Sequence, residues 1–150
     1  MITGTNYIQG DLTTLPGNPV LSGTVGSTTG DPDGVITINQ TDTKNFSLDY
    51  TTDEFDDFVF ANLAFQGFQN LTSIILALTI PNGRKLKVEV FDKNGKKADF
   101  LLNGVGAKKN YTLNLSGENI PSGFLTSALK NITFTADQTN MGDTGTVSVE

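Results

Sequence analysis

Apolar residues along this chain recur mostly at every second position, in short runs separated by turn-forming residues. Successive side chains of a strand point to opposite faces, so such a run buries one face and leaves the other in water. The run Val35-Ile36-Thr37-Ile38 follows a strong turn signal, Gly30-Asp31-Pro32-Asp33-Gly34. In residues 45–50, Phe46, Leu48 and Tyr50 share one face. In residues 55–65, Phe58 and Phe60 share a face, and Leu63 and Phe65 continue it after an expected bulge. Two periods compete at residues 74–80. Phe68, Leu71, Ile75 and Leu78 fit helical spacing, whereas Ile74, Leu76, Leu78 and Ile80 fit a strand. Strand is chosen because Pro81-Asn82-Gly83 reads as a hairpin turn into Leu86, Val88 and Val90. Asp92-Lys93-Asn94-Gly95 marks a second hairpin, since Asn-Gly suits the positive φ of a tight turn.

Further strands are expected at residues 98–102, 111–115, 132–136 and 145–149, with a short helical turn at 123–130. The first 30 residues, rich in Gly, Thr and Pro, carry only weak strand signals at 6–8 and 20–25 and read as a loosely packed N-terminal edge. Roughly ten short strands, spaced by about ten residues, predict one all-β domain over residues 1–150. Its expected architecture is an antiparallel β-sandwich of the jelly-roll type.

Composition narrows the chemistry. Hydrophobic residues make up 37% of the chain and charged residues 17%, below the roughly 25% usual for a soluble domain. The net charge is −6. The basic clusters Arg84-Lys85-Leu86-Lys87 and Lys96-Lys97 lie in or beside one expected hairpin and read as solvent-face or edge-blunting charge. Neither nucleic acid nor an anionic membrane is therefore an expected partner. His, Cys and Trp are all absent, which removes a Ser-His-Asp triad, a Cys-His pair, a disulfide framework and imidazole- or thiolate-based zinc chemistry. No stretch reaches the roughly 18 apolar residues of a membrane span, and no signal peptide is visible.

From residue 65 onward the chain resembles the galactose-binding-like jelly rolls, a superfamily that includes many carbohydrate-binding modules. The residues that carry this are Gly67-Phe68-Gln69-Asn70-Leu71-Thr72, LKVEVFDKNGK at 86–96 and YTLNLSG at 111–117, then LKNITFTADQ at 129–138 and GTVSVE at 145–150. The resemblance implies a sugar site on a concave face or at a loop rim, with a structural calcium elsewhere.

Sugar recognition needs an aromatic face beside amides and carboxylates that can engage hydroxyl pairs. With no Trp, stacking falls to Tyr7, Tyr50, Tyr111 or an exposed Phe. The candidate polar partners are Asp49 beside Tyr50, the group Gln66, Gln69 and Asn70, and Asp137 with Gln138. Candidate calcium ligands are Asp31 and Asp33, which bracket a turn, and Asp143 and Glu150 near the end of the chain. The acidic group Asp53, Glu54, Asp56 and Asp57 reads as a solvated rim. Gly104-Val105-Gly106-Ala107-Lys108-Lys109 lacks the strand-to-helix context of a phosphate loop and reads as a hairpin connection.

The expected function is non-catalytic. It is a carbohydrate-binding or accessory module for a polysaccharide or oligosaccharide, within a larger multidomain protein outside the cell or on its surface. The alternative is a structural or adhesion sandwich, such as a surface, fimbrial or phage-tail spacer with no small-molecule ligand.

Overall fold

The structure, a computed structural model, describes residues 2–4, 20–27, 34–40, 46–52, 57–64, 73–117, 120–142 and 144–149. In chain order the strands are β1 (Ile2–Gly4), β2 (Val20–Ser27), β3 (Val35–Gln40), β4 (Phe46–Thr51), β5 (Asp57–Ala64) and β6 (Ser73–Thr79). They continue with β7 (Lys85–Asp92), β8 (Lys97–Asn103), β9 (Lys108–Asn114), β10 (Leu129–Asp137) and β11 (Thr144–Val149). A single turn of helix, α1 (Gln138–Met141), precedes the last strand.

The strands form two antiparallel sheets. In the first, β9 lines one edge of β6, while β1 and β11 lie end to end along the other, opposite 74–76 and 78–79 respectively. β4 and β3 complete it beyond β11. The second sheet runs β2, β5, β10, β7, β8. Four pairings nest inside one another: β4 with β11, β5 with β10, β6 with β9 and β7 with β8. One long hairpin folded over on itself produces that nesting, which makes the sandwich a jelly roll.

The core lies between the sheets. Phe46, Leu48 and Tyr50 of β4, Ile74, Leu76 and Leu78 of β6, and Val147 and Val149 of β11 face inward from the first. Val59, Ala61 and Leu63 of β5, Leu86, Val88 and Val90 of β7, and Ile132 and Phe134 of β10 meet them from the second. Phe46 and Phe134 contact edge to face across the gap, with ring centroids 6.0 Å apart.

Four local expectations are corrected. The β7–β8 turn is the expected hairpin, but Pro81-Asn82-Gly83 is not one: it carries the chain from the first sheet to the second. β6 has partners along both edges, so no edge is left for β7. The connection at 104–107 is also no hairpin, because it returns the chain from β8 to β9 in the first sheet. These two corners bind each other, Gly106 N–H donating to Ile80 O (3.0 Å) and Gly104 N–H to Arg84 O (2.7 Å). A Cβ on Gly104 would strike Pro81 O and come within 2.7 Å of Ile80 Cγ2, so the close approach requires glycine. The bulge lies in β10, between Leu129 and Asn131, and β5 is in unbroken register with both neighbours. Residues 121–128 form successive turns rather than helix; Gly123 sits at φ +79° and β10 starts at Leu129.

Candidate functional site

The outward side of the second sheet brings aromatic rings, amides, a hydroxyl and charged side chains together. Because Val59, Ala61 and Leu63 are the buried phase of β5, Phe58, Phe60 and Asn62 point away from the core. The two rings are half-buried and stack at 6.3 Å between centroids with planes 20° apart. Across the sheet, Phe60 is followed in register by Thr135, Lys87 and Leu101, and Asn62 by Thr133, Glu89 and Asp99. Half-buried Phe91 lies opposite Asn131, and Leu101 is 52% exposed.

A polar group sits beside the rings. Asn131 Nδ2 donates to Asn62 Oδ1 (2.7 Å) and to Thr133 Oγ1 (3.2 Å), while Thr133 Oγ1 donates to Asn62 Oδ1 (3.4 Å). Thr133 faces outward yet is only 8% exposed, shielded by these neighbours. Next to it Lys97 Nζ donates to Glu89 (2.9 Å), with Lys87 (3.6 Å) and Asp99 (3.7 Å) completing an ion-pair chain. The hydrogen bond to Glu89 raises the Lys97 pKa. Partial desolvation opposes that rise, and the charges of Glu89 and Asp99 add to it.

Tyr50 and Tyr111, two of the tyrosines expected to stack on sugar, are core residues, which corrects that expectation for both. Tyr50 is 3% exposed and its hydroxyl donates to Met141 O at 2.6 Å, at the end of α1. Burial lifts its pKa above the usual 10, against the pull of the Arg84 charge. Tyr111 is 7% exposed; its hydroxyl donates to Asn103 O (2.6 Å), closing the seam between the edge strands β9 and β8. Its pKa is likewise raised by burial, and Lys109 Nζ stands 5.1 Å from its ring centroid. Neither ring offers a free face.

Asp49 and Tyr50 cannot form one site, because neighbours in a strand point to opposite faces. The exposed Asp49 carboxylate accepts from Asn39 Nδ2 (2.8 Å) and Thr146 Oγ1 (2.6 Å) on the outer face of the first sheet. Asp137 caps α1, accepting from the Asn140 backbone N–H (2.7 Å) and Nδ2 (3.2 Å), and Gln138 is the first residue of that helix. Gln69, Asn70, Asp31, Asp33, Asp143 and Glu150 lie outside the described residues, as do Tyr7, Gln66, Asp53, Glu54 and Asp56. Among the described residues no group of three or more Asp or Glu is placed to hold a metal ion, and no helix is long and apolar enough to cross a membrane.

The outward face of β5 is a candidate that the sequence reading does not single out. Its signal is Phe-Val-Phe-Ala-Asn-Leu-Ala, in which both phases of the alternation are apolar apart from Asn62. One of the two must then lie outside the core, and the sequence alone does not say which.

No family model matches this sequence, and no curated protein does. Solved structures do match. The family 11 carbohydrate-binding module of the cellulosomal cellulase Lic26A-Cel5E of Clostridium thermocellum superposes with a TM-score of 0.63 at 9% identity, over 100% of this chain and 91% of that one. The chain shares the jelly-roll fold of that module. An agarase matches at a TM-score of 0.58 and 10% identity, over 99% of this chain. The enzymatically active domain of tailspike protein 4 of bacteriophage CBA120 matches at 0.50 and 11%, over 87%. The chain spans 24% of the agarase and 18% of the tailspike. At these identities the likeness is one of fold.

Proposed function

We propose that the chain is a non-catalytic carbohydrate-binding module and that the outer face of the second sheet receives the glycan. The observation that carries this reading is the stacked Phe58–Phe60 pair, half-buried outside the core and flanked by Asn62, Asn131, Thr133 and Glu89. A pyranose presents a face of C–H bonds and a rim of hydroxyls. Phenyl rings take the first, and amide, hydroxyl and carboxylate groups take the second. Among the described residues, the outward positions of the first sheet carry no aromatic side chain, which favours the second. The fold shared with the family 11 module supports the reading. The partial coverage of the agarase suits a module of a larger protein.

The test is affinity electrophoresis through gels containing soluble polysaccharides, with thermal melts as a folding control. Wild type is retarded by at least one polymer. A Phe58→Ala/Phe60→Ala variant loses about tenfold or more in affinity, on the order of 1.4 kcal/mol, and keeps its melting midpoint within a few degrees. Asp49→Asn, on the other face, binds like wild type. Equal retardation of wild type and the double variant would refute this face. Retardation by no polymer would favour the structural or adhesion reading. Melts repeated with calcium and after chelation test the metal. A calcium-dependent rise is the expected sign of a structural site at Asp31, Asp33, Asp143 and Glu150.

A further inference from the structure

Three side chains on the outer face of the second sheet close into a triangle. Asn62 of β5 stands directly opposite Thr133 of β10, and Asn131 lies two residues before Thr133 on the same strand. Asn131 Nδ2 directs one N–H to Asn62 Oδ1 (2.7 Å) and the other to Thr133 Oγ1 (3.2 Å). The Thr133 hydroxyl, only 8% exposed, donates to Asn62 Oδ1 (3.4 Å).

The triangle consumes the two amides unequally. A side-chain amide has two N–H donors and an oxygen with two lone pairs. Both donors of Asn131 and both lone pairs of Asn62 are engaged inside the triangle. The capacity that these three bonds leave is a pure donor, Asn62 Nδ2, and a pure acceptor, Asn131 Oδ1. The same bonds hold both amide planes in place, so a ligand meets groups that are already ordered.

Position ties the triangle to the aromatic rings. Asn62 follows Phe60 by two residues on β5, and Asn131 lies opposite half-buried Phe91 on β7. Regular alternation would put Leu129 and Asn131 on one face; the bulge between them sends Leu129 into the core and leaves Asn131 outside. Phe60 and Phe91 stand two strand spacings and four residues of β10 apart in register, roughly 16 Å. A glycan chain that runs from one ring to the other passes over the amides.

We infer that Asn62 and Asn131 select the sugar by reading a pair of neighbouring, unsubstituted ring hydroxyls. Such selection rests on the glycan site proposed above for this face. One hydroxyl oxygen accepts from Asn62 Nδ2, its neighbour donates to Asn131 Oδ1, and the C–H face of the ring lies on Phe60. A carboxylate or sulfate has no proton for Asn131 Oδ1 and would leave that acceptor desolvated without a partner. A hydroxyl capped by a linkage or a methyl group fails in the same way. The ligand class is therefore a neutral polysaccharide whose chain units keep a vicinal diol, as 1,4- and 1,6-linked pyranosides do. In a 1,3-linked chain the substituted carbon separates the two remaining ring hydroxyls.

Affinity electrophoresis with the full chain provides the test. Galactomannan, xyloglucan and dextran carry vicinal diols, and laminarin is the 1,3-linked probe. An O-methylated form of each diol polymer keeps the ring faces and masks the hydroxyls. At least one diol polymer retards wild type, and its O-methylated form and laminarin bind at least about tenfold more weakly. Asn62→Asp keeps the oxygen that accepts from Asn131 and Thr133 and replaces only the outward donor with an acceptor. It melts within a few degrees of wild type and loses about tenfold or more in affinity. Laminarin or an O-methylated polymer held through Phe58 and Phe60 as tightly as any diol polymer would overturn the inference and leave the binding face standing. So would Asn62→Asp binding like wild type. An Asn62→Asp melt well below that of wild type would also overturn it, because the amide nitrogen would then belong to the triangle. Retardation by none of the probes would remove both the selection and the face.

Discussion

Replacing Asp92 with alanine removes one carboxylate that organises two separate pieces of chain. Asp92 is 0% exposed. Its Oδ1 accepts from the N–H groups of Asn94 and Lys96, both at 2.9 Å, and so shapes the β7–β8 turn. Its Oδ2 accepts from Leu125 N–H at 3.0 Å, pinning the loop that leads into β10. Hydrogen bonds to a charged acceptor contribute about 1.5–3 kcal/mol each, and a buried donor left unpaired costs about 1–3 kcal/mol. Water replaces the carboxylate for the exposed turn more readily than for the loop. Asp92→Ala is therefore expected to cost about 3–5 kcal/mol, a lowering of the melting midpoint by roughly 10 °C for a domain of this size. Asp92→Asn keeps one acceptor oxygen but turns an NH₂ toward Leu125 N–H, and should cost about 2 kcal/mol.

The pH dependence separates charge from shape at this position. Burial alone would raise the carboxyl pKa. The N–H bonds from Leu125, Lys96 and Asn94, with the Lys96 ammonium, outweigh it and hold the group below 3.8. A folded-state pKa below the unfolded value means the stabilisation is complete above the unfolded value, about 3.9. It is lost as pH falls through the folded value. Urea denaturation should show a constant advantage of wild type over Asp92→Asn from about pH 5 to 7, shrinking below about pH 4. An Asp92→Ala variant within about 0.5 kcal/mol of wild type at pH 7, or a gap to Asp92→Asn that does not narrow on acidification, would refute the reasoning.

Gly145 pairs with Tyr50, and a Cβ there would strike the phenol oxygen and lie 2.7 Å from Cζ. Gly145→Ala should therefore cost about 2 kcal/mol or more, and in a Tyr50→Phe background the added penalty should shrink by denaturant titration; fully additive costs would count against the clash. Burial raises both Tyr50 and Tyr111, so their contribution to stability is complete below about pH 10 and lost as pH rises through the folded values. Absorbance titration should find at most one of the three tyrosines ionising near pH 10 while the fold persists, and normal titration of all three in folded protein would contradict the burial.

Local pattern was enough for much of this fold. Alternation marked the strands that became β3, β4, β6, β7, β8, β10 and β11, and the series of motifs after residue 65 pointed to the jelly roll. Asn94-Gly95 marked the β7–β8 hairpin because a tight turn between adjacent strands has its own residue chemistry. Partnership was not legible. Pro81-Asn82-Gly83 serves equally as a hairpin turn or as a corner between sheets, and the outcome depended on β9, β1 and β11 having taken both edges of β6. The candidate site was read least well, for the same reason. Tyr50 stood out as a ring beside a carboxylate, yet the strand's two-residue period sends Asp49 outward and Tyr50 into the core. In β5 both phases are largely apolar. Only the packing of Val59, Ala61 and Leu63 against the opposite sheet decided that Phe58 and Phe60 would face out, where Asn131 and Thr133, some seventy residues away in sequence, meet Asn62. Periodicity sets which residues share a side; which side meets the core is set by the rest of the chain.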